Sequence, residues 1–323
     1  MTAIAPEMES LGLISAGERF QLTPLPGGVS SDIFKVEVDG RTFVIKRALA
    51  KLRVADDWQA PTSRNRHEAD WLEVAARIVP GAVPRILARD DEQGLFAMEY
   101  CDRPVWKERL RQGDVDLDLA AAVGRTLAAI HANTAHDPAI AGRFATGDIF
   151  HAIRLEPYLE TAARRHPQVA GPLMALSAQT LATRIALVHG DVSPKNILLG
   201  PLFLDAECAW FGDPAFDLAF CLNHLLLKCL WNRPAAPRFL AAFDRLATSY
   251  RAGVTWEPAE ALDHRTARLL AALLLARVDG KSPVEYLDDA GRDFVRQFSL
   301  PLIAAPVATP DEIARRWAAR LRL

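Results

Sequence analysis

Apolar and polar residues alternate along the first part of the chain. Between about Phe20 and Lys46, β-branched and aromatic residues alternate with polar ones in IFKVEV and RTFVIK, with Asp39-Gly40 between the two runs. A period of two turns one strand face to a core, and an intervening Asp-Gly predicts a hairpin. Over residues 66–79 the period lengthens, with Ala69, Leu72, Ala75, Ala76 and Val79 at helical spacing and Pro80-Gly81 closing the run. Two more strands are expected at residues 85–88 and 95–98. Beyond Tyr100 the pattern predicts helices over 117–132, 153–165, 171–184 and long stretches from Ala215 onward, interrupted by a strand-rich patch at 186–204. The chain therefore reads as α+β, with a small β-rich lobe (1–100) and a larger, mainly helical lobe (101–323) meeting near residues 99–102. A cleft between two lobes is where a ligand site is expected.

Composition narrows the classes. The 323 residues are 50% hydrophobic, enough for a sizeable core, and 38 Lys plus Arg against 40 Asp plus Glu give a net charge of -2. That balance speaks against a nucleic-acid surface and against an acidic disordered chain. Cys101, Cys208, Cys221 and Cys229 form no CxxC pair and have no His at zinc spacing, so they are expected as small buried hydrophobes. The start MTAIAPEMES has neither the basic nor the apolar region of a secretory signal. The apolar run at 269–276 is far shorter than the roughly 20 residues a membrane span needs, and is expected as a core helix. A cytoplasmic protein with no membrane or nucleic-acid partner is the expectation; nothing in the pattern speaks to oligomeric state.

The most specific chemistry lies in LVHGDVSPKNILLGPLFLDAE, residues 187–207. Phosphoryl transfer asks for a carboxylate to hold the acceptor hydroxyl and oxygen ligands for magnesium. Asp191 and Asn196 stand at the D-x-x-x-x-N spacing of a kinase catalytic loop, and Asp205 sits where a second metal-binding carboxylate belongs. The bland reading, a polar turn between two core strands, does not account for the whole run with its apolar flanks.

This segment resembles the aminoglycoside phosphotransferase and choline kinase family, which has a protein-kinase-like fold, and the resemblance covers nearly the whole chain. It implies that Asp191 is the catalytic base and that Asn196 and Asp205 are magnesium ligands. DAECAWFGDPAFD resembles the D-x-E element of the methylthioribose kinase branch, as does RALAKLRVADDW after the third strand, which implies that Glu207 joins Asp205 at the metal. Pro194 and Asn196 are instead similar to the aminoglycoside kinases. Asp205 and Glu207 are two residues apart, so on a strand end they share a face, and Glu207→Gln is expected to change magnesium dependence while leaving stability alone. The alternative for Glu207 is a salt-bridged carboxylate.

The same resemblance makes Lys46, read as a strand end, the lysine that pairs with the nucleotide phosphates, and Glu68 its partner on the following helix. Gly27, Gly28, Ser30 and Ser31, within LPGGVSS, resemble the loop that covers the nucleotide, where glycine lets backbone N–H groups approach phosphate. FAMEYC is the hinge, with backbone groups of Glu99 and Cys101 facing adenine. Asp217 is expected chiefly as a helix-capping carboxylate, with bracing of the catalytic loop as the family role. His131 is expected as a core-edge residue, and His189 as a brace of the loop backbone.

The acceptor pocket belongs to the helical lobe, with candidates Arg154, Glu156 and Tyr158 and a second group, Arg277, Asp279 and Lys281, whose bland reading is a solvated helix end. The expected function is an ATP- and Mg2+-dependent kinase of a small hydroxylated molecule. A protein kinase is disfavoured by Ser193 in place of a lysine, by the lack of an A-P-E element and by the short Asp205–Asp217 link. A non-catalytic nucleotide-binding protein is the remaining alternative. Near-equal acidic and basic counts disfavour a polycationic acceptor.

Overall fold

The structure is a computed structural model that describes residues 4–25, 31–49 and 61–323. A short helix α1 (Ala5–Ser10) precedes β1 (Gln21–Pro24), β2 (Ser31–Val38) and β3 (Arg41–Ala48). Helix α2 (Arg64–Ile78) then leads to β4 (Ile86–Asp90) and β5 (Leu95–Glu99). The five strands form one antiparallel sheet in the order β1-β2-β3-β5-β4. The hairpin turns at Asp39 (φ 43°) and Gly40 (φ 72°), with Val38 opposite Arg41, because two consecutive positive φ angles match the strand twist and Asp-Gly tolerates them. β3 continues two residues past Lys46, so that lysine lies within the strand and not at its end.

Alternation along β3 sorts its side chains by face. Phe43 and Ile45 join Met8, Ile14, Val36, Val38, Leu95 and Ala97 in one buried cluster beneath α1. Val44 packs on the opposite face with Phe96, Met98 and the α2 residues Trp71, Leu72 and Ala75. Lys46 has the parity of Val44, so the pleat points it toward α2. Asn65 fixes that helix against the sheet edge, its Nδ2 donating to the Lys46 carbonyl at 3.1 Å and to the Gly94 carbonyl at 2.6 Å.

Helices dominate from Trp106: α3 (Trp106–Arg111), α4 (Leu117–Thr134), α5 (Pro138–Arg143) and α6 (Gly147–Phe150). The expected helix over 153–165 takes a different form. His151–Glu160 is π-helical, with Pro157 inside it, and α-helical hydrogen bonding resumes in α7 (Thr161–Arg165). A proline within a helix lacks the N–H of the regular ladder, and a wider turn is one way to accommodate it. After α8 (Ala170–Ala182), the strand-rich patch resolves into β6 (Ala186–Val188), β7 (Ile197–Leu198) and β8 (Leu202–Phe203), and β6 pairs with a strand the pattern did not show, β9 (Trp210–Gly212).

The chain ends in α9 (Pro214–Trp231), α10 (Ala236–Arg251), α11 (Ala259–Asp279), α12 (Asp289–Ala304) and α13 (Pro310–Leu321). Nearly all of α9 is buried, and the apolar run of α11 packs in the same core, as expected of it. No helix among the described residues is long and apolar enough to cross a membrane. Cys208, Cys221 and Cys229 are buried free thiols as expected, whereas Cys101 is half-exposed.

Because the two Asn65 bonds tie α2 to β3, Asn65→Ala should lower the unfolding free energy by about 1–3 kcal/mol, the cost of leaving buried carbonyls unpaired. Equilibrium denaturation checks this; a parental midpoint would mean that the two bonds contribute nothing net.

Candidate active site

Residues 189–191 follow directly on β6. Gly190 has φ +79°, and a Cβ there would lie 2.7 Å from the Cys208 Cβ and 2.8 Å from its carbonyl oxygen, so only glycine fits. The turn is held by Asp217, whose two oxygens accept from the His189 amide at 2.7 Å and the Gly190 amide at 2.8 Å. Asp217 is therefore not the helix cap expected of it: Asp213 caps α9 by accepting from the Ala215 amide at 3.0 Å, while Asp217 sits in the first turn and faces the loop. His131 lies fully buried behind it, with Nε2 3.3 Å from Asp217 Oδ2 and Nδ1 2.6 Å from the Tyr250 hydroxyl. It is a core residue, not an edge one.

The His189 ring braces the same loop. Its Nδ1 accepts from the Asp191 amide at 3.1 Å, so Nε2 carries the hydrogen donated to the Leu204 carbonyl at 3.1 Å. Burial lowers its pKa and keeps the ring neutral. Trp71 of α2 meets the ring edge-on at a centroid separation of 4.7 Å, which joins the sheet-side helix to the loop.

Asp191 is buried between two cations. Arg154, carried by the π-helical turn, places a guanidinium nitrogen 2.9 Å from Asp191 Oδ2 and donates from Nε to the Gly190 carbonyl at 2.6 Å. Lys195 Nζ stands 3.3 Å from the same carboxylate oxygen, which holds its pKa above the ordinary lysine value. Asn196 donates from Nδ2 to the Asp191 carbonyl at 3.1 Å, and its Oδ1 makes no hydrogen bond among the described residues.

Across the cleft, Lys46 Nζ lies 2.9 Å and 2.7 Å from the two Glu68 oxygens and 2.5 Å from Asp205 Oδ1. Burial opposes the Lys46 charge, but the carboxylates of Asp205 and Glu68 outweigh it and hold its pKa above normal. Burial likewise opposes the Asp205 charge, and Lys46 and Lys195 overcome it, keeping that carboxyl well below the usual range.

Asp205 adopts φ +66° in an irregular segment, so it and Glu207 do not share a strand face as expected. Glu207 turns instead to Arg64, whose Nε donates to Oε2 at 3.0 Å, and both side chains are buried. This pairing is the alternative expected for Glu207, a salt-bridged carboxylate.

Of the remaining expected residues, Ser31 opens β2, and its buried Oγ has no hydrogen-bond partner. Gly27, Gly28 and Ser30 lie outside the described residues, as does most of RALAKLRVADDW. The Glu99 amide donates to the Arg85 carbonyl at 2.9 Å, while the Cys101 amide makes no hydrogen bond among the described residues. The two acceptor clusters come together: Glu156 pairs with Lys281 at 2.8 Å, and Arg277 donates to the Tyr158 hydroxyl at 3.3 Å. Arg277 is buried, not at a solvated end, and Asp279 is spent on Arg296 and His166. Sequence reasoning missed Lys195 and Arg64. Lys195 lay in the catalytic loop beside Asn196 and could have been found there; Arg64 carried no such signal.

A small antiparallel sheet over a helical body, with a buried Lys–Glu pair on one side and an HGD loop on the other, defines the protein-kinase-like class. Residues 21–262 match the phosphotransferase enzyme family (APH), and the chain belongs to that family. Relatives include methylthioribose kinases from Yersinia pseudotuberculosis, 27% identical over an alignment of 233 positions that covers 62% of this chain and 56% of that protein. The methylthioribose kinase of Pectobacterium carotovorum is 26% identical over an alignment of 246 positions that covers 65% of this chain and 61% of that protein. The matched region thus spans little more than half the length of these relatives. Among solved structures, the amicoumacin kinase hAmiN, in complex with AMP-PNP, Ca2+ and Ami, is similar in fold with a TM-score of 0.54, 14% identity and coverage of 98% of this chain and 100% of that one.

Glu207→Gln removes the carboxylate charge that faces the buried Arg64 guanidinium, and with it the counter-charge that Glu207 supplies to that cation. It should cost about 1–3 kcal/mol of stability without any ligand, as bonds to charged groups do. Thermal unfolding of the apo variant tests this, and an unchanged Tm would show the pair to be dispensable.

Proposed function

We propose that this protein is an ATP- and Mg2+-dependent kinase that phosphorylates a hydroxyl of a small molecule. The observation that carries the reading is the convergence of Lys46, Glu68 and Asp205 opposite a braced loop that presents Asp191 and Asn196. In this reading residues 1–100 form the nucleotide lobe and 101–323 the acceptor lobe, joined at a hinge where the Glu99 carbonyl and the Cys101 amide meet adenine. Gly27, Gly28, Ser30 and Ser31 would cover the phosphates, and Lys46 would pair with them.

The oxygen donors suit magnesium. Among the described residues no cluster of three or more His, Cys, Asp or Glu could hold a metal alone, and magnesium in kinases is held by one or two protein oxygens together with the phosphates and water. Asn196 through its uncommitted Oδ1 and Asp205 through its carboxylate would be those ligands, and Glu207 would join them with the oxygen that Arg64 does not hold. Bound there, magnesium neutralises phosphate charge, which is most of what this reaction needs from a site.

Asp191 then has one task. Its carboxylate accepts the hydrogen bond of the acceptor hydroxyl, orients that oxygen toward the γ-phosphorus and takes the proton as the new O–P bond forms and ADP leaves. Arg154 and Lys195 hold its side chain in place. The neutral His189 has no proton to give at this step and serves the loop backbone.

Incubation with ATP, magnesium and a library of hydroxylated metabolites, followed by detection of ADP and phosphorylated product, tests the proposal. Asp191→Asn should lower kcat by about 10²–10⁴-fold, the usual worth of a positioned base, while the variant still binds AMP-PNP. Normal nucleotide binding with no transfer to any acceptor would instead favour a non-catalytic nucleotide-binding protein.

A further inference from the structure

Beside the catalytic loop lies a pocket that the roles assigned so far leave without an occupant. Ser193, Pro194 and Lys195 form one wall, α9 contributes His224 and Lys228, and α11 contributes Arg277. Lys107 of α3 and the segment bearing Glu285 and Tyr286 close it. Lys195 also touches Asp191, so the pocket opens next to the group that would receive the acceptor hydroxyl.

Its charges do not balance. Lys195 is matched by Asp191, and Lys107 by Glu285 at 2.5 Å. Lys228 and Arg277 are 1% and 9% exposed, and neither has a carboxylate within ion-pair distance among the described residues. Arg277 is satisfied only by neutral oxygens, those of Tyr158 and Ser282, and its buried Nε has no partner. Among the described residues Lys228 Nζ makes no hydrogen bond, and it rests against two ring faces, Trp231 at 4.4 Å and Tyr286 at 4.8 Å from the centroids. Desolvation, reinforced by Lys107 and only partly opposed by Glu285 and Glu108, pushes its pKa down to about 7. Buried charges in proteins are ordinarily paired, and a pocket that gathers two without counter-charges is built for a counter-charge that arrives from outside.

We propose that Lys228 and Arg277 form an oxyanion subsite, so that the acceptor carries a carboxylate or phosphate in addition to the hydroxyl that is phosphorylated. This deepens the kinase reading and rests on it. Such an anion would sit between Lys228 and Arg277, with Lys195 bridging from the subsite to the base. The same geometry selects against cationic acceptors. The ring faces of Trp231 and Tyr286, which could otherwise hold an ammonium, are already occupied by Lys228, and the surrounding lysines repel polycations.

The test measures binding and transfer separately, with four matched probes: gluconate for a carboxylate, ribose 5-phosphate for a phosphate, ribose as the neutral analogue and choline as the cation. Binding is followed by thermal shift and calorimetry on AMP-PNP-loaded protein, and transfer by ADP release with magnesium-ATP. Gluconate or ribose 5-phosphate should bind at least 10-fold more tightly than ribose, and choline not at all; which anion wins separates carboxylate from phosphate. Lys228→Met keeps the apolar stem without the ammonium and should weaken the preferred anion 10-fold or more while leaving ribose unchanged. Glu285→Gln, an exposed change that frees Lys107, should tighten it. Equal binding of ribose and the anions, preference for choline, or an anion affinity indifferent to both substitutions overturns the proposal. The same holds if neither anion produces a saturable shift up to 10 mM. Lys228-dependent anion binding without transfer from ATP to any acceptor would sustain the subsite and defeat the kinase reading. Transfer to gluconate or ribose 5-phosphate that is blind to Lys228→Met would do the reverse.

Discussion

One ammonium group organises the cleft. Lys46 is buried to 1% exposure, and a lysine charge taken out of water must be met by carboxylates or be lost. Meeting it from two directions, Glu68 on α2 and Asp205 after β8, obliges the sheet, the helix and the helical body to converge on one point. The pleat of β3, the Asn65 bonds that seat α2 and the positive φ of Asp205 all serve that convergence. The three groups satisfy one another across the cleft.

The other wall is stiffened from behind. A chain of contacts runs from Tyr250 on α10 through His131 on α4 and Asp217 on α9 to the amides of His189 and Gly190. Every member is buried, so the loop inherits the rigidity of three packed helices and does not depend on its own residues for its shape. Trp71 completes the circuit by resting α2 on the His189 ring, which makes the orientation of α2 and the shape of the loop parts of one packing problem.

The sequence made the sheet, its hairpin, α2 and the long helices legible because each rests on a periodic apolar pattern or a turn with a strict backbone demand. Asp191, Asn196 and Asp205 could be singled out from the spacing of one loop and its flanks, and Lys46 and Glu68 from their order in the chain by resemblance; the structure brings Lys46, Glu68 and Asp205 into contact. What escaped depended on contacts between distant segments. Arg154 could be listed for the acceptor site, but nothing local shows that it would clasp Asp191, since that follows from the wide turn around Pro157. Glu207 was misplaced because a strand was assumed where Asp205 breaks the extended backbone. Asp217 was given a cap's task that Asp213, four residues earlier, already performs. Arg277 looked like a solvated helix end because its charge follows an apolar run, and only the fold shows that α11 ends inside the molecule.

The π-helical turn at 151–160 has a consequence for how such a cleft can diversify. Each residue of an α-helix advances about 100° around the axis, so one residue accommodated locally as a bulge changes the phase of everything before it relative to everything after. Here that phase places Arg154 on the catalytic loop while α7 keeps its seat against α8 and α11. Insertion or deletion of a single residue within this turn would re-aim Arg154 together with the core side chains Leu155, Tyr158 and Leu159, so a change of phase there reaches the hydrophobic core as well as the loop. The segment is thus a joint at which the aim of Arg154 and the seating of the core are set together.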